Sequence, residues 1–188
     1  SDAQAAGVGL RELEALRDDC LVSVMQGLRG NDYGAGQVLD RFERQLFARM
    51  PVAEVEPGRP MQLHEVTVPS EWVDYNGHMN DSRFFQVTSE AGDRLMRYIG
   101  VDEEYLQHNS YYTVESHMNF GAQAKAGDRL YATVQLINHD PKRLHHFTVI
   151  HRADDDSVVA TAEHLMLHVD TAAGKSSPAA PALLAKLD

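Results

Sequence analysis

The sequence predicts an α+β fold: an antiparallel β-sheet wrapped around one long central helix, preceded by an N-terminal helical segment. Three observations predict it. Apolar residues recur at helical spacing over residues 10–29 and again after Asn80. The period changes to alternation beyond residue 60, and four strand-like runs then follow one another between short turns. One strand, one long helix and a succession of strands are best buried as a sheet curled onto the helix stripe.

The first helix carries Leu10, Leu13, Leu16, Cys20, Leu21, Val24 and Leu28, and Gly30 with Asn31 stops it. A second helix is expected from Gly36 to Met50, with Val38, Leu39, Phe42 and Leu46 on one face. Two helices cannot enclose a core alone, so the helical segment 1–50 must meet a partner. The stretch P-V-A-E-V-E-P-G-R-P has three prolines and one glycine, which places a linker at 51–61 and the main domain at 62–170. L-H-E-V-T-V at 63–68 alternates and reads as a strand. Asn80 caps the central helix, whose stripe is Phe84, Val87, Ala91, Leu95 and Ile99, and Gly100 ends it. Gly92 weakens that helix by about 1 kcal/mol relative to Ala.

The later strands are expected at 111–120, 128–137, 143–152 and 157–169, in hairpin succession. The turns between them are A-K-A-G-D, N-H-D-P-K and A-D-D-D-S. The tail 171–188, rich in Ala, Ser and Pro, is expected to be loose, with L-L-A-K-L helical.

Composition excludes several function classes. The 188 residues are 43% apolar, enough for a core, and carry a formal net charge of -11. That charge argues against a nucleic-acid or anionic-membrane binder, since both need clustered Lys and Arg. A lone Cys20 excludes an internal disulfide framework and fits a reducing compartment. No apolar run reaches membrane-spanning length, and the first residues lack a signal pattern, so a soluble cytoplasmic chain is expected.

Residues 73–80 read V-D-Y-N-G-H-M-N, more chemistry than a surface turn requires. The motif ends where the buried helix begins. A helix N-terminus offers unpaired N–H groups able to hold an oxyanion. Asp74 can reach the same space as base or nucleophile, with Asn76, His78 and Asn80 fixing the loop or placing water. The same residues also suit an ordinary Asp-x-Asn-Gly turn. His164 and His168 would chelate a metal on a helix, but A-E-H-L-M-L-H-V reads as strand and no H-E-x-x-H occurs, so no metal and no cofactor are expected.

The run V-P-S-E-W-V-D-Y-N-G-H-M-N-D-S-R-F-F, with its helix and the V-E-S-H-M-N-F strand, resembles the 4-hydroxybenzoyl-CoA thioesterase-like branch of the hotdog superfamily over about residues 62–170. The resemblance implies a hotdog fold, an acyl-CoA substrate and a catalytic role for Asp74. It also implies pairing into a homodimer or higher homo-oligomer, sheets edge to edge. The family's N-G-H-x-N-N stands here as N-G-H-M-N-D, so Asp81 replaces the second amide.

The N-terminal R-E-L-E-A-L-R-D-D-C-L-V and N-D-Y-G-A-G resemble the end of an L-carnitine dehydrogenase of the 3-hydroxyacyl-CoA dehydrogenase type. Bacterial chains of that kind continue into a thioesterase acting on betainyl-CoA, and D-P-K-R-L-H-H-F is similar to that part. The resemblance thus implies fusion to a dehydrogenase domain whose Rossmann portion is absent, since Gly7-Val8-Gly9 does not continue as G-x-G-x-x-G.

A betainyl group carries a quaternary ammonium, which aromatic faces hold best. Trp72, Tyr75, Tyr111 and Tyr112 are the candidates beside the motif, and each also suits core or subunit contact. Glu115, taken to alternate with Thr113 and His117 on one strand face, is a candidate acidic partner. Lys142 and Arg143, in the hairpin after Asp140-Pro141, are candidates for the CoA phosphates. A thiolate leaves readily near neutral pH, so a carboxylate and an oxyanion site suffice without a G-x-S-x-G elbow. The rivals are a hydratase, whose D-x-N-P-x-H spacing differs from that of Asp74 and His78, and a non-catalytic acyl-CoA-binding or assembly domain.

Overall fold

The computed structural model describes residues 47, 49–56 and 58–188. The helix expected over 10–29 and nearly all of the one expected from Gly36 to Met50 lie outside the described residues. The chain divides into two compact units, Ser1–Pro51 and Val52–Asp188, and every described strand belongs to the second.

That unit runs β1 (Met61–Thr67), α1 (Asp81–Ile99), β2 (Asn109–Phe120), β3 (Arg129–His139), β4 (Arg143–Arg152), β5 (Val158–Asp170), β6 (Lys175–Ser176) and α2 (Pro181–Leu184). All pairings are antiparallel, in the order β1-β3-β4-β5-β2, with β6 on the end of β5. Helix α1 packs on β1, β3 and β4. Its stripe of Phe84, Val87, Ala91, Leu95 and Ile99 is buried, as are Leu130, Ala132 and Val134 of β3 and Leu144 and Ile150 of β4. Each large apolar side chain so buried contributes about 1.5–3 kcal/mol, which outweighs the weak helix propensity of Gly92. A Cβ at Gly92 would meet no described atom within 4 Å, so close packing is not its reason. Gly100 ends α1 in the left-handed conformation, φ 103°, with its N–H on the Arg97 and Met96 carbonyls.

Hairpin succession holds for β3-β4-β5 and fails for β2, which pairs with β5 instead of β3. The A-K-A-G-D segment is part of a crossover. Gly121 and Ala122 donate to Val159 O at 2.9 Å, Ala124 O accepts from Met79 N at 2.7 Å, and Gly127 N donates to Val68 O at 2.8 Å. These bonds carry the chain from β5, past the start of α1, to the end of β1.

The tail from Thr171, expected to be loose, is tied down. Asp170 Oδ1 accepts from the Ala172 and Ala173 amides at 3.0 and 2.9 Å, which turns the chain back so that β6 pairs with Val169 and Asp170. Ala179 N then donates to Pro141 O at 2.7 Å, and Leu183 of α2 is buried. A side chain bonding its own backbone two and three residues on makes a turn that bulk composition does not register. No described helix is long and apolar enough to cross a membrane.

Candidate active site

The V-D-Y-N-G-H-M-N segment folds as a closed turn. A short 3-10 turn at Ser70–Trp72 brings the chain off β1, and Val73 then bridges to Met79. Asp74 N donates to His78 O and Gly77 N to Asp74 O, both at 3.0 Å, and Asp74 Oδ1 accepts from Asn76 N at 2.8 Å. Gly77 takes φ 79°, where other residues are strained. Asn80 closes the turn, its N–H on Trp72 O at 2.9 Å, and caps α1, its Oδ1 accepting from the Ser82 amide at 3.0 Å and hydroxyl at 2.7 Å. Asp81, in place of the family's second amide, adds its own carboxylate to the Ser82 N–H at 2.8 Å.

Counting donors shows what the turn leaves over. Among the described residues the N–H groups of Tyr75, His78 and Asp81 have no protein acceptor. The Asp81 N–H is the first of α1 and so carries the helix's positive end. Asp74 is half-buried, one oxygen fixed by Asn76 and the other without a described donor. The His78 imidazole has no hydrogen bond among the described residues, and Asn76 is held through its backbone alone.

The aromatic candidates do not form one cluster in this chain. Trp72 is buried, with the Arg83 guanidinium 5.5 Å from its ring centroid. Tyr75 stands at the turn tip, 97% exposed. Tyr111 is buried edge-on to His168, ring centroids 5.0 Å apart, and burial pushes its phenol up to about 12. Tyr112 pairs with Leu167 on the outer face.

Glu115 lies on that outer face too, opposite Leu165. The register shift between Thr113 and Glu115 puts Thr113 on the inner face, so the expected sharing of one face by Thr113, Glu115 and His117 holds only for the last two. Arg143 binds Asp140 through Nε at 2.7 Å and Nη2 at 2.6 Å, and holds that carboxyl down to about 2. Its charge is engaged within its own hairpin. Lys142 presents an ammonium with no described partner and gives its carbonyl to His168 N.

Beyond the motif, the described inner face of the sheet carries four buried histidines, His64, His146, His164 and His168, of which the sequence had suggested only the pair His164 and His168. His164 Nδ1 is 2.8 Å from Ser116 Oγ, and its ring lies 5.0 Å from that of His146. Burial first, then His164 and His145, takes His146 down to about 3. His168 Nδ1 donates to Ser177 O at 2.8 Å, which leaves Nε2 to accept from the Tyr105 hydroxyl at 2.6 Å. His164 and His168 are thus each engaged with their own partners. Inward parity at alternate strand positions is the sequence signal for His146, His164 and His168.

A sheet curled on one helix, with a carboxylate turn at that helix's N-terminus, defines the hotdog class. The chain belongs to the thioesterase-like superfamily, whose family model matches residues 68–187. The whole chain is 46% identical over 194 residues to an L-carnitine dehydrogenase/betainyl-CoA thioesterase of Rhizobium meliloti, and spans 39% of that relative's length. A betainyl-CoA thioesterase of Pseudomonas aeruginosa is 36% identical over 130 residues, covering 68% of this chain and 82% of its own. A solved structure of a candidate thioesterase from Pseudomonas putida superposes with TM-score 0.61 at 32% identity, over 69% of this chain and 83% of that one.

Proposed function

We propose that this chain hydrolyses betainyl-CoA to glycine betaine and CoA, with Asp74 as the group that activates the attack. The observation that carries the reading is the Asp74 turn: one carboxylate oxygen fixed by Asn76 N–H, the other uncommitted, and the unpaired Asp81 N–H heading α1 a few residues on. The names of the Rhizobium and Pseudomonas aeruginosa relatives supply the acyl group.

Asp74 takes a proton from water as the water oxygen bonds to the thioester carbonyl carbon. The carbonyl oxygen becomes an oxyanion facing the Asp81 N–H and the helix dipole. Collapse breaks the carbon–sulfur bond, the thiolate of CoA leaves with the bonding pair, and the Asp74 proton returns to it or to solvent. In the other route Asp74 itself attacks and expels the CoA thiolate, and water then opens the mixed anhydride. Label found in Asp74 after a single turnover in isotopically labelled water identifies this route, with water adding at the Asp74 carboxyl carbon.

The working unit in this reading is a pair of copies joined along β2. That strand is a sheet edge twelve residues long, with Tyr112, Val114 and Phe120 53%, 55% and 52% exposed. A long apolar edge is a template for another strand. Pairing there brings the aromatic and acidic side chains of β2 from one copy toward the second. Fusion to a dehydrogenase part and a cytosolic location, where CoA esters are used, belong to the same reading. The test is thiol release from betainyl-CoA, acetyl-CoA and a longer acyl-CoA. The reading predicts the highest kcat/KM on betainyl-CoA. Binding without thiol release would leave a carrier domain, and hydration of an enoyl-CoA would leave a hydratase.

A further inference from the structure

A line of side-chain bonds runs along α1 from the interior to the catalytic turn. His64 Nε2 on β1 lies 3.1 Å from Glu90 Oε2, and both residues are buried. Gln86 Nε2 donates to Glu90 Oε1 at 3.1 Å, and Arg83 Nη1 donates to Gln86 Oε1 at 2.7 Å. The Arg83 guanidinium then sits 5.5 Å from the centroid of the buried Trp72 ring. Positions 83, 86 and 90 share one helix face because three and four residues are close to one turn.

Arg94 Nη1 also lies 4.0 Å from Glu90 Oε2, yet a buried ion pair is a weak source of stability. Desolvating the Glu90 carboxylate in mid-helix costs several kcal/mol even when it is paired, and an apolar side chain there would hold α1 on β1 as well. Arg83 also stands in the first turn, where the helix dipole disfavours a cation. Orientation accounts for this line. Trp72 O accepts the Asn80 N–H at 2.9 Å, and the next residue, Val73, bridges to Met79. Whatever moves Trp72 therefore moves both the Asp74 carboxylate and the Asp81 N–H.

We propose that Arg83 is a positioning residue for thioester hydrolysis: aimed by Gln86 and Glu90, its guanidinium clamps Trp72 and with it the turn that carries Asp74. The proposal rests on the hydrolytic reading above, and a second readout separates the two. Trp72 is the chain's single tryptophan, so its emission and its quenching by acrylamide report the clamp without any substrate.

The experiment compares Arg83→Met, Arg83→Lys and Gln86→Met with the wild-type chain. A displacement of about 1 Å at the reacting groups lowers turnover on the order of a hundredfold. Arg83→Met is expected to lose about 10- to 100-fold in kcat with KM within about threefold, and to show shifted Trp72 emission with easier quenching. Arg83→Lys recovers part of both. Gln86→Met shifts both in the same direction by less, and it keeps the proposal testable if Arg83→Met does not fold. Turnover within twofold of wild type in Arg83→Met and Gln86→Met, or unchanged Trp72 emission, overturns the proposal. A wild-type chain that releases no thiol overturns the hydrolytic reading instead, and Trp72 emission then decides the clamp alone.

Discussion

Replacing His146 by Leu should flatten the acid side of the stability curve. His146 is 2% exposed on the inner face of β4, and burial, with His164 and His145 nearby, holds its imidazole down to about 3. In the unfolded chain the same ring titrates near the ordinary value of about 6.5. Between those two values the unfolded chain binds a proton that the native chain does not. Native stability is therefore lost as pH falls below about 6.5, and the loss levels off only near 3. At pH 5, well above the native value, the difference depends on the unfolded value alone and comes to about 2 kcal/mol. His164 and His168, also lowered first by burial, add in the same direction. Urea unfolding at pH 7.5, 6 and 5 measures the effect. The loss between pH 7.5 and 5 should be about 2 kcal/mol smaller in His146→Leu than in wild type, because titrations of groups distant from His146 cancel in the comparison. Equal losses in the two proteins would refute the assignment of a neutral, water-excluded imidazole.

Three further outcomes follow from the turn and the sheet edge. Asn80→Ala removes the cap on Ser82 and should destabilise the unit by about 1 kcal/mol, lowering Tm by roughly 3 °C in a thermal melt. Gly77→Ala meets no neighbour within 4 Å but must hold φ 79°, so about 1 kcal/mol of strain should appear in denaturant unfolding, together with slower thiol release. Val114→Lys sets a charge on the exposed β2 edge; under the proposed pairing along β2, wild type should scatter light as a pair and the variant as single copies, with activity falling in step.

Local signals carried furthest from sequence to structure. The Asn80 cap, the α1 stripe and the Gly100 stop act within a few residues, and each stands where spacing placed it. The strand runs were legible too, since alternation follows from burial of one face. The hairpins β3-β4-β5 were legible and the pairing of β2 with β5 was not. The bonds that send Gly121–Asp128 across to β1 join residues far apart in sequence, and a hairpin is the shortest reading of any turn. The shift between Thr113 and Glu115 was equally hidden, because one extra residue exchanges the two faces without changing composition. Within the candidate site, the turn at Asp74 and the cap at Asn80 were legible because a turn and a cap need those residue types. The Trp72–Arg83 contact was not, because an aromatic residue beside a motif suits ligand and core alike.

The most direct measurement is the turnover of Asp74→Asn on betainyl-CoA, with wild-type folding checked by melting temperature. A positioned carboxylate acting on the attacking atom predicts a fall of about 10²- to 10⁴-fold in kcat at unchanged Tm. Thiol release within a few-fold of wild type would place the chemistry somewhere other than this turn.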